Sequence, residues 1–138
     1  MTDKTHMLTR LSDTTKDVAD PDRDIRGRRV VDRGGDDLGK VDDLLIDTDE
    51  DKVRFLRVEH GGILGIGATA SFIPVDAVRD ISDDEVRVDL ATQQVADAPR
   101  YDPDLVDQTS YYSDVYRHYG YTPYWTPGYA YPTGPYLL

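Results

Sequence analysis

The chain contains no cysteine. That absence excludes disulfides, thiolate metal ligands and cysteine nucleophiles. No stretch approaches the roughly 18 consecutive apolar residues that a membrane-spanning helix needs. Residues 1–24 also lack the apolar core of a secretory signal. The expectation is a protein with no transmembrane segment, cytoplasmic by default. Histidine is scarce, and His6, His60 and His118 are too far apart for metal-ligand spacing. Ser71 and Ser82 have no obvious general base beside them. Glutamate is nearly missing: Glu50, Glu59 and Glu85 stand among 27 acidic residues, and the rest are aspartate. With only 16 basic residues the formal net charge is −11. Such a chain repels phosphates and shows no basic stripe, so direct charge contact with nucleic acid is disfavoured. Two readings of the dense aspartates stay open. One is a well-solvated surface; the other is adaptation to a salty interior, where carboxylates hold water and their repulsion is screened.

What the chain does contain falls into three zones. Hydrophobic residues are 38% of its 138 residues, a share too low for a core that runs through the whole chain. Residues 1–21 are polar and acidic, and too poor in apolar surface to offset the entropy of ordering. They read as a flexible acidic N-terminal arm. Residues 22–92 carry nearly all the aliphatic β-formers. Arg28–Val31 is a short strand, closed by the turn-rich run Asp32-Arg33-Gly34-Gly35-Asp36-Asp37. Gly39–Asp47, Lys52–His60, Ser71–Val75, Ala77–Ile81 and Glu85–Leu90 follow. In Lys52–His60 the apolar phase slips between Phe55 and Leu56, which predicts either a bulge or a strand covered on both faces. Pro74 has no backbone donor and belongs at a strand end or edge. Val86, Val88 and Leu90 alternate with charged residues, as in a half-buried strand. Five to six short strands at about ten-residue spacing, with no convincing helix among them, predict an all-β fold: a small closed barrel, whose closure removes exposed edges.

Two motifs inside that zone suggest chemistry and then fail. Asp47-Thr48-Asp49-Glu50-Asp51 begins like a calcium-binding EF-hand loop. The sixth position, which needs glycine, is Lys52, and the twelfth, which needs a bidentate glutamate, is Val58. A solvated hairpin turn is the better reading. Gly61–Gly67 is rich in glycine, but a phosphate cradle requires a helix directly after it, and a strand with Pro74 follows instead. It reads as a loop with Ile63, Leu64 and Ile66 turned toward the core. No catalytic residue, metal ligand or cofactor site is assigned, and the chain is not expected to be an enzyme.

Residues 93–138 are different in kind. All ten tyrosines and the single tryptophan, Trp125, lie after residue 100. A short helix is predicted near 111–119, with Ser110 as its N-cap, Asp114 in its first turn, Arg117 and His118 in its last, and Gly120 as its stop. Tyr112, Val115, Tyr116 and Tyr119 form a stripe at helical spacing. Some nine residues do not hold a helix alone, so this one must dock. Pro123, Pro127, Pro132 and Pro135 then alternate with Tyr and Gly, predicting an extended, polyproline-like tail. Two roles for the aromatics stay open. They cap an opening of the barrel, or they form an interaction surface of Tyr112, Tyr116, Tyr119, Tyr121, Tyr124 and Trp125.

Taken together, several pieces resemble the PRC-barrel domain. They are Asp24-Ile25-Arg26-Gly27-Arg28-Arg29-Val30-Val31, Gly39-Lys40-Val41-Asp42-Asp43-Leu44-Leu45-Ile46-Asp47, Val53-Arg54-Phe55-Leu56, Gly62-Ile63-Leu64-Gly65-Ile66-Gly67 and Phe72-Ile73-Pro74-Val75-Asp76-Ala77-Val78. The resemblance implies a compact β-barrel without shared catalytic residues. The family occurs in the photosynthetic reaction-centre H subunit, in a ribosome-maturation factor, and in stand-alone proteins, some of them adaptors in cell division. This sequence shows neither the H subunit's membrane helix nor the ribosome factor's additional domain. The expected function is therefore a non-catalytic adaptor that binds a protein partner and associates with itself as a homo-oligomer. The alternative is a binder of a small ligand or divalent metal, or an enzyme, that uses an Asp cluster.

Overall fold

A computed structural model describes residues 8–10, 25–47, 52–60, 69–98 and 108–130. The expected turn at 48–51, the Gly-rich loop at 61–67, and the arm apart from residues 8–10 lie outside the described residues, as do residues 131–138. The strands are β1 (Thr9–Arg10), β2 (Arg29–Val31), β3 (Asp37–Asp47), β4 (Lys52–His60), β5 (Thr69–Pro74), β6 (Val78–Ile81) and β7 (Glu85–Val88). Two helices follow, α1 (Thr92–Ala96) and α2 (Gln108–Tyr119). The sheet runs β5-β4-β3-β2-β7-β6, with β1 paired to β3 off this path. β2 and β7 pair in parallel, and the other pairings are antiparallel.

The long strand β3 organises the sheet. One of its edges pairs with β4 along most of its length. The other is shared: β2 takes its first half, and β1 meets Leu45 and Ile46 in its second. The short strand β1 was not expected, because residues 1–21 read as a flexible arm. Leu8, buried just before it, supplies the apolar contact that holds it.

The phase slip in β4 has both expected causes at once. Leu45 pairs with Phe55 and Ile46 with Val53, so Arg54 is the extra residue of a β-bulge. Val53, Arg54, Phe55, Leu56 and Val58 are all buried, so both faces of the strand are covered. Pro74 closes β5, as its missing N–H requires. Val86, Val88 and Leu90 all point into the core.

Closure is where the expectation needs correcting. Among the described residues the sheet is open, with β5 and β6 ending its path. After Pro74 the chain enters a 3-10 turn, Val75–Ala77. β5 and β6 are therefore neighbours in sequence that diverge instead of pairing. Helix α2 is laid over the strands at the β5 end. Phe55 of β4 stacks on Tyr112, with centroids 5.3 Å apart, and Phe72 of β5 meets Tyr111 edge-on at 5.9 Å.

Helix α2 begins earlier than predicted. Ser110 lies inside it and is not its N-cap, and Asp114 sits at mid-helix, exposed, 4.0 Å from Arg117. Its end matches expectation. Gly120 adopts φ +81°, and the amides of Gly120 and Tyr121 donate to the carbonyls of Arg117 and Tyr116. This is the paired C-terminal motif that needs a left-handed residue. Residues 121–130 are not a polyproline helix. The amide of Thr126 donates to Pro123 and that of Tyr129 to Thr126, folding the segment into consecutive turns that return it to the sheet.

The fold predicts a large effect at one ring. Phe55 is fully buried and touches both Tyr112 and Tyr116. Phe55→Ala should lower stability by about 3–5 kcal/mol in urea titration.

Candidate functional site

The most unusual side chain in the core is a charge. The bulge turns Arg54 inward, where its side chain is 2% exposed. Its Nη2 donates to Asp47 Oδ2 at 3.3 Å, with Asp47 at the far end of β3. The ring of Tyr124 covers the guanidinium, 4.3 Å from centroid to Cζ, and Tyr129 lies 6.0 Å away. A buried guanidinium is tolerable when it has a carboxylate and an aromatic face together. Here the carboxylate comes from the sheet and the aromatic face from the C-terminal turns.

Asp76 anchors the same turns from the other side. It lies on the 3-10 turn after β5, and its Oδ2 accepts a hydrogen bond from the Tyr129 hydroxyl at 2.9 Å. Its Oδ1 is buried with no hydrogen-bond partner. Burial pushes its carboxyl above the ordinary carboxylate range, with the Tyr129 hydrogen bond opposing. Beside it, burial first and then the Asp76 charge push the Tyr116 hydroxyl far up. The hydroxyls of Tyr116 and Tyr119 are likewise buried without partners.

An aromatic chain links these groups. Tyr116 meets Phe55 at 5.0 Å and Trp125 edge-on at 5.9 Å, and Trp125 meets Tyr124 edge-on at 5.0 Å. His118 adds a polar tie from α2 to α1, its Nε2 being 2.6 Å from the Gln94 carbonyl. Between the 3-10 turn and the C-terminal turns lies an open cleft of about 470 Å³, lined in part by Asp76, Tyr121, Thr122, Pro127 and Tyr129.

The six aromatic residues singled out in the sequence separate into two groups. Tyr112, Tyr116 and Tyr119 are buried against the sheet, together with Tyr111. Tyr121, Tyr124 and Trp125 are half-buried and packed on that core from outside. Arg54, Asp76 and Tyr129 were not singled out, and Asp47 entered only as the first residue of a rejected calcium loop. The phase slip between Phe55 and Leu56, next to Arg54, was the one available signal; nothing local marks Asp76. Among the described residues no group of three or more His, Asp or Glu side chains could hold a metal ion, and no helix is long and apolar enough to cross a membrane.

Several other charged side chains have structural partners. Asp32 folds its own loop, accepting from the amides of Gly34 and Asp36 and from the Thr92 hydroxyl. The Thr92 bond, with help from the amides, holds its carboxyl below the usual range. Asp89 accepts from Arg79 at 2.6 Å and is lowered chiefly by that bond. Arg29 pairs with Glu85 across β2 and β7, and Arg57 with Asp42 across β3 and β4.

Two comparisons bear on the chain. A family model described as the PRC-barrel domain matches residues 18–95, which covers β2–β7 and most of α1 and excludes α2 with its turns. Comparison with curated proteins gives no match.

Two predictions follow from the charges. Arg54→Ala removes the guanidinium from the buried Asp47 carboxylate and should lower stability by about 3–5 kcal/mol in urea titration, whereas Arg54→Met combined with Asp47→Leu should recover most of that loss. Asp76 gives a pH signature. Its folded-state pKa is raised, so the native state binds the proton more tightly than the unfolded chain does. Its contribution to stability is complete below the ordinary carboxylate value and is lost as pH rises through the raised one. Measured against Asp76→Asn across that window, the native chain should become relatively less stable as pH rises. A flat difference would show that burial does not perturb Asp76.

Proposed function

The chain belongs to the PRC-barrel family, and on that footing we propose that it is a non-catalytic interaction module, an adaptor that associates with a second copy of itself. The observation that carries this reading is the division of the aromatic segment. Its inner rings dock the segment on the sheet, and its outer ones, Tyr121, Tyr124 and Trp125, stay half-buried on ordered turns. Aromatic rings held on a structured turn offer large contact area with little side-chain entropy left to lose. This patch lies outside residues 18–95, the part that matches the family.

The inner tyrosines cannot serve a partner without leaving the core, so the surface narrows to the outer three. Full-length protein should sediment as a concentration-dependent dimer. Tyr121→Ser combined with Trp125→Ser should raise the dimer dissociation constant by about tenfold or more. Circular dichroism and thermal melting in parallel establish that the variant is folded. A full-length chain that remains monomeric at every concentration refutes the reading.

A further inference from the structure

We infer that the cleft beside Asp76 is a binding site for a primary alkylammonium group. This inference does not depend on self-association and stands if the chain proves monomeric.

The cleft, about 470 Å³, is lined by one charged residue among the described residues, Asp76. Around it are Tyr121, Tyr129, Thr122 and Pro127. A carboxylate has room for about four hydrogen bonds. This one receives a side-chain bond from the Tyr129 hydroxyl and a bond from its own backbone amide, and its Oδ1 is buried with no hydrogen-bond partner. The nearest buried cation does not supply the deficit. Arg54 makes its ion pair with Asp47 and does not line the cleft; it acts on Asp76 only as a minor charge effect. An under-satisfied, partly desolvated carboxylate at the wall of an open cleft is arranged to receive a donor.

The geometry also selects the kind of donor. A guanidinium prefers both carboxylate oxygens side by side. Here Oδ2 is shared with Tyr129 and Oδ1 is turned inward, so the planar fork has no matching edge. A divalent ion wants about six to eight oxygen ligands, commonly from several carboxylates, and the cleft offers one. An ammonium is a compact charge that is satisfied by a single carboxylate oxygen plus neighbouring hydroxyls such as Thr122. An alkyl stem would lie along Pro127 and the tyrosine rings.

The same ammonium chemistry is found on free amines and on a lysine side chain of another protein. The test uses the full-length chain and two readouts, the melting temperature and the fluorescence of Trp125, the only tryptophan. The probes are butylammonium chloride and Nα-acetyl-lysine methylamide. The comparisons are butylguanidinium, calcium chloride, 1-butanol and sodium chloride at matched ionic strength. The expected result is a saturable response to the two ammonium probes, weakened about tenfold or more in Asp76→Asn. That variant should melt no lower than the parent at neutral pH, which separates lost binding from lost folding. Tighter binding of the lysine derivative would assign the source to a partner's lysine, and tighter binding of butylammonium would assign it to a free amine. The inference is overturned if neither ammonium gives a saturable response above sodium chloride and butanol. It is equally overturned if Asp76→Asn responds unchanged, or if calcium or butylguanidinium binds better than butylammonium.

Discussion

Burying one guanidinium constrains the rest of this structure. The bulge in β4 leaves Arg54 without a place in the strand ladder and turns it into the interior. A charge there needs an anion and protection from competition by water. The anion, Asp47, lies only seven residues away on the neighbouring strand. The protection is remote in sequence: Tyr124, seventy residues on, covers the guanidinium face. The part of the chain that matches the family therefore holds a buried ion pair whose cover lies outside that match. Residues 108–130 are part of the folded unit, and removing them would expose Phe55, Phe72 and a charge together.

The energetics of that docking are mixed, and the mixture gives it register. Stacked and edge-on rings favour contact at almost any sliding position. The polar groups do not. Arg54 must lie beneath Tyr124, and the Tyr129 hydroxyl must reach Asp76. A shift of one residue along the segment would break both. Against this, the hydroxyls of Tyr116 and Tyr119 and one oxygen of Asp76 are buried without partners, each a desolvation penalty. Apolar contact thus supplies the attraction, while polar contact selects one arrangement.

Much of the fold was legible because alternation and breakers are local signals. Lys52–His60 was placed at its observed limits, Pro74 at its strand end and Gly120 at the helix stop. The phase slip at Phe55–Leu56 pointed to the bulge, although not to the side chain the bulge would bury. What failed depends on distant contact. Sheet closure was inferred from the cost of free edges, but the 3-10 turn after Pro74 separates β5 from β6, and α2 covers the neighbouring strands. Ser110 looked like a cap because capping is read within a few residues, whereas the helix starts further back. The prolines after residue 120 suggested an extended tail, yet Arg54 and Asp76 offer partners that repay folding it into turns. Of the candidate surface, helical spacing identified the inward tyrosines, but which of the six faces outward depends on the sheet beneath them.

Net charge adds a last constraint on where such a protein can meet a second copy. At −11, two copies repel, and screening is effective only beyond about 8 Å at physiological salt. Contact therefore favours a surface with few charges of its own. From Tyr119 to the C-terminus the sequence carries no charged side chain, and the described part of that stretch holds Tyr121, Tyr124 and Trp125. Arg54, whose guanidinium Tyr124 covers, is buried beneath it. In a chain so rich in aspartate, an uncharged aromatic stretch of this length is the place where like-charge repulsion is weakest and apolar contact strongest. Within the cleft, likewise, Asp76 is the one charged residue among the described residues of the lining.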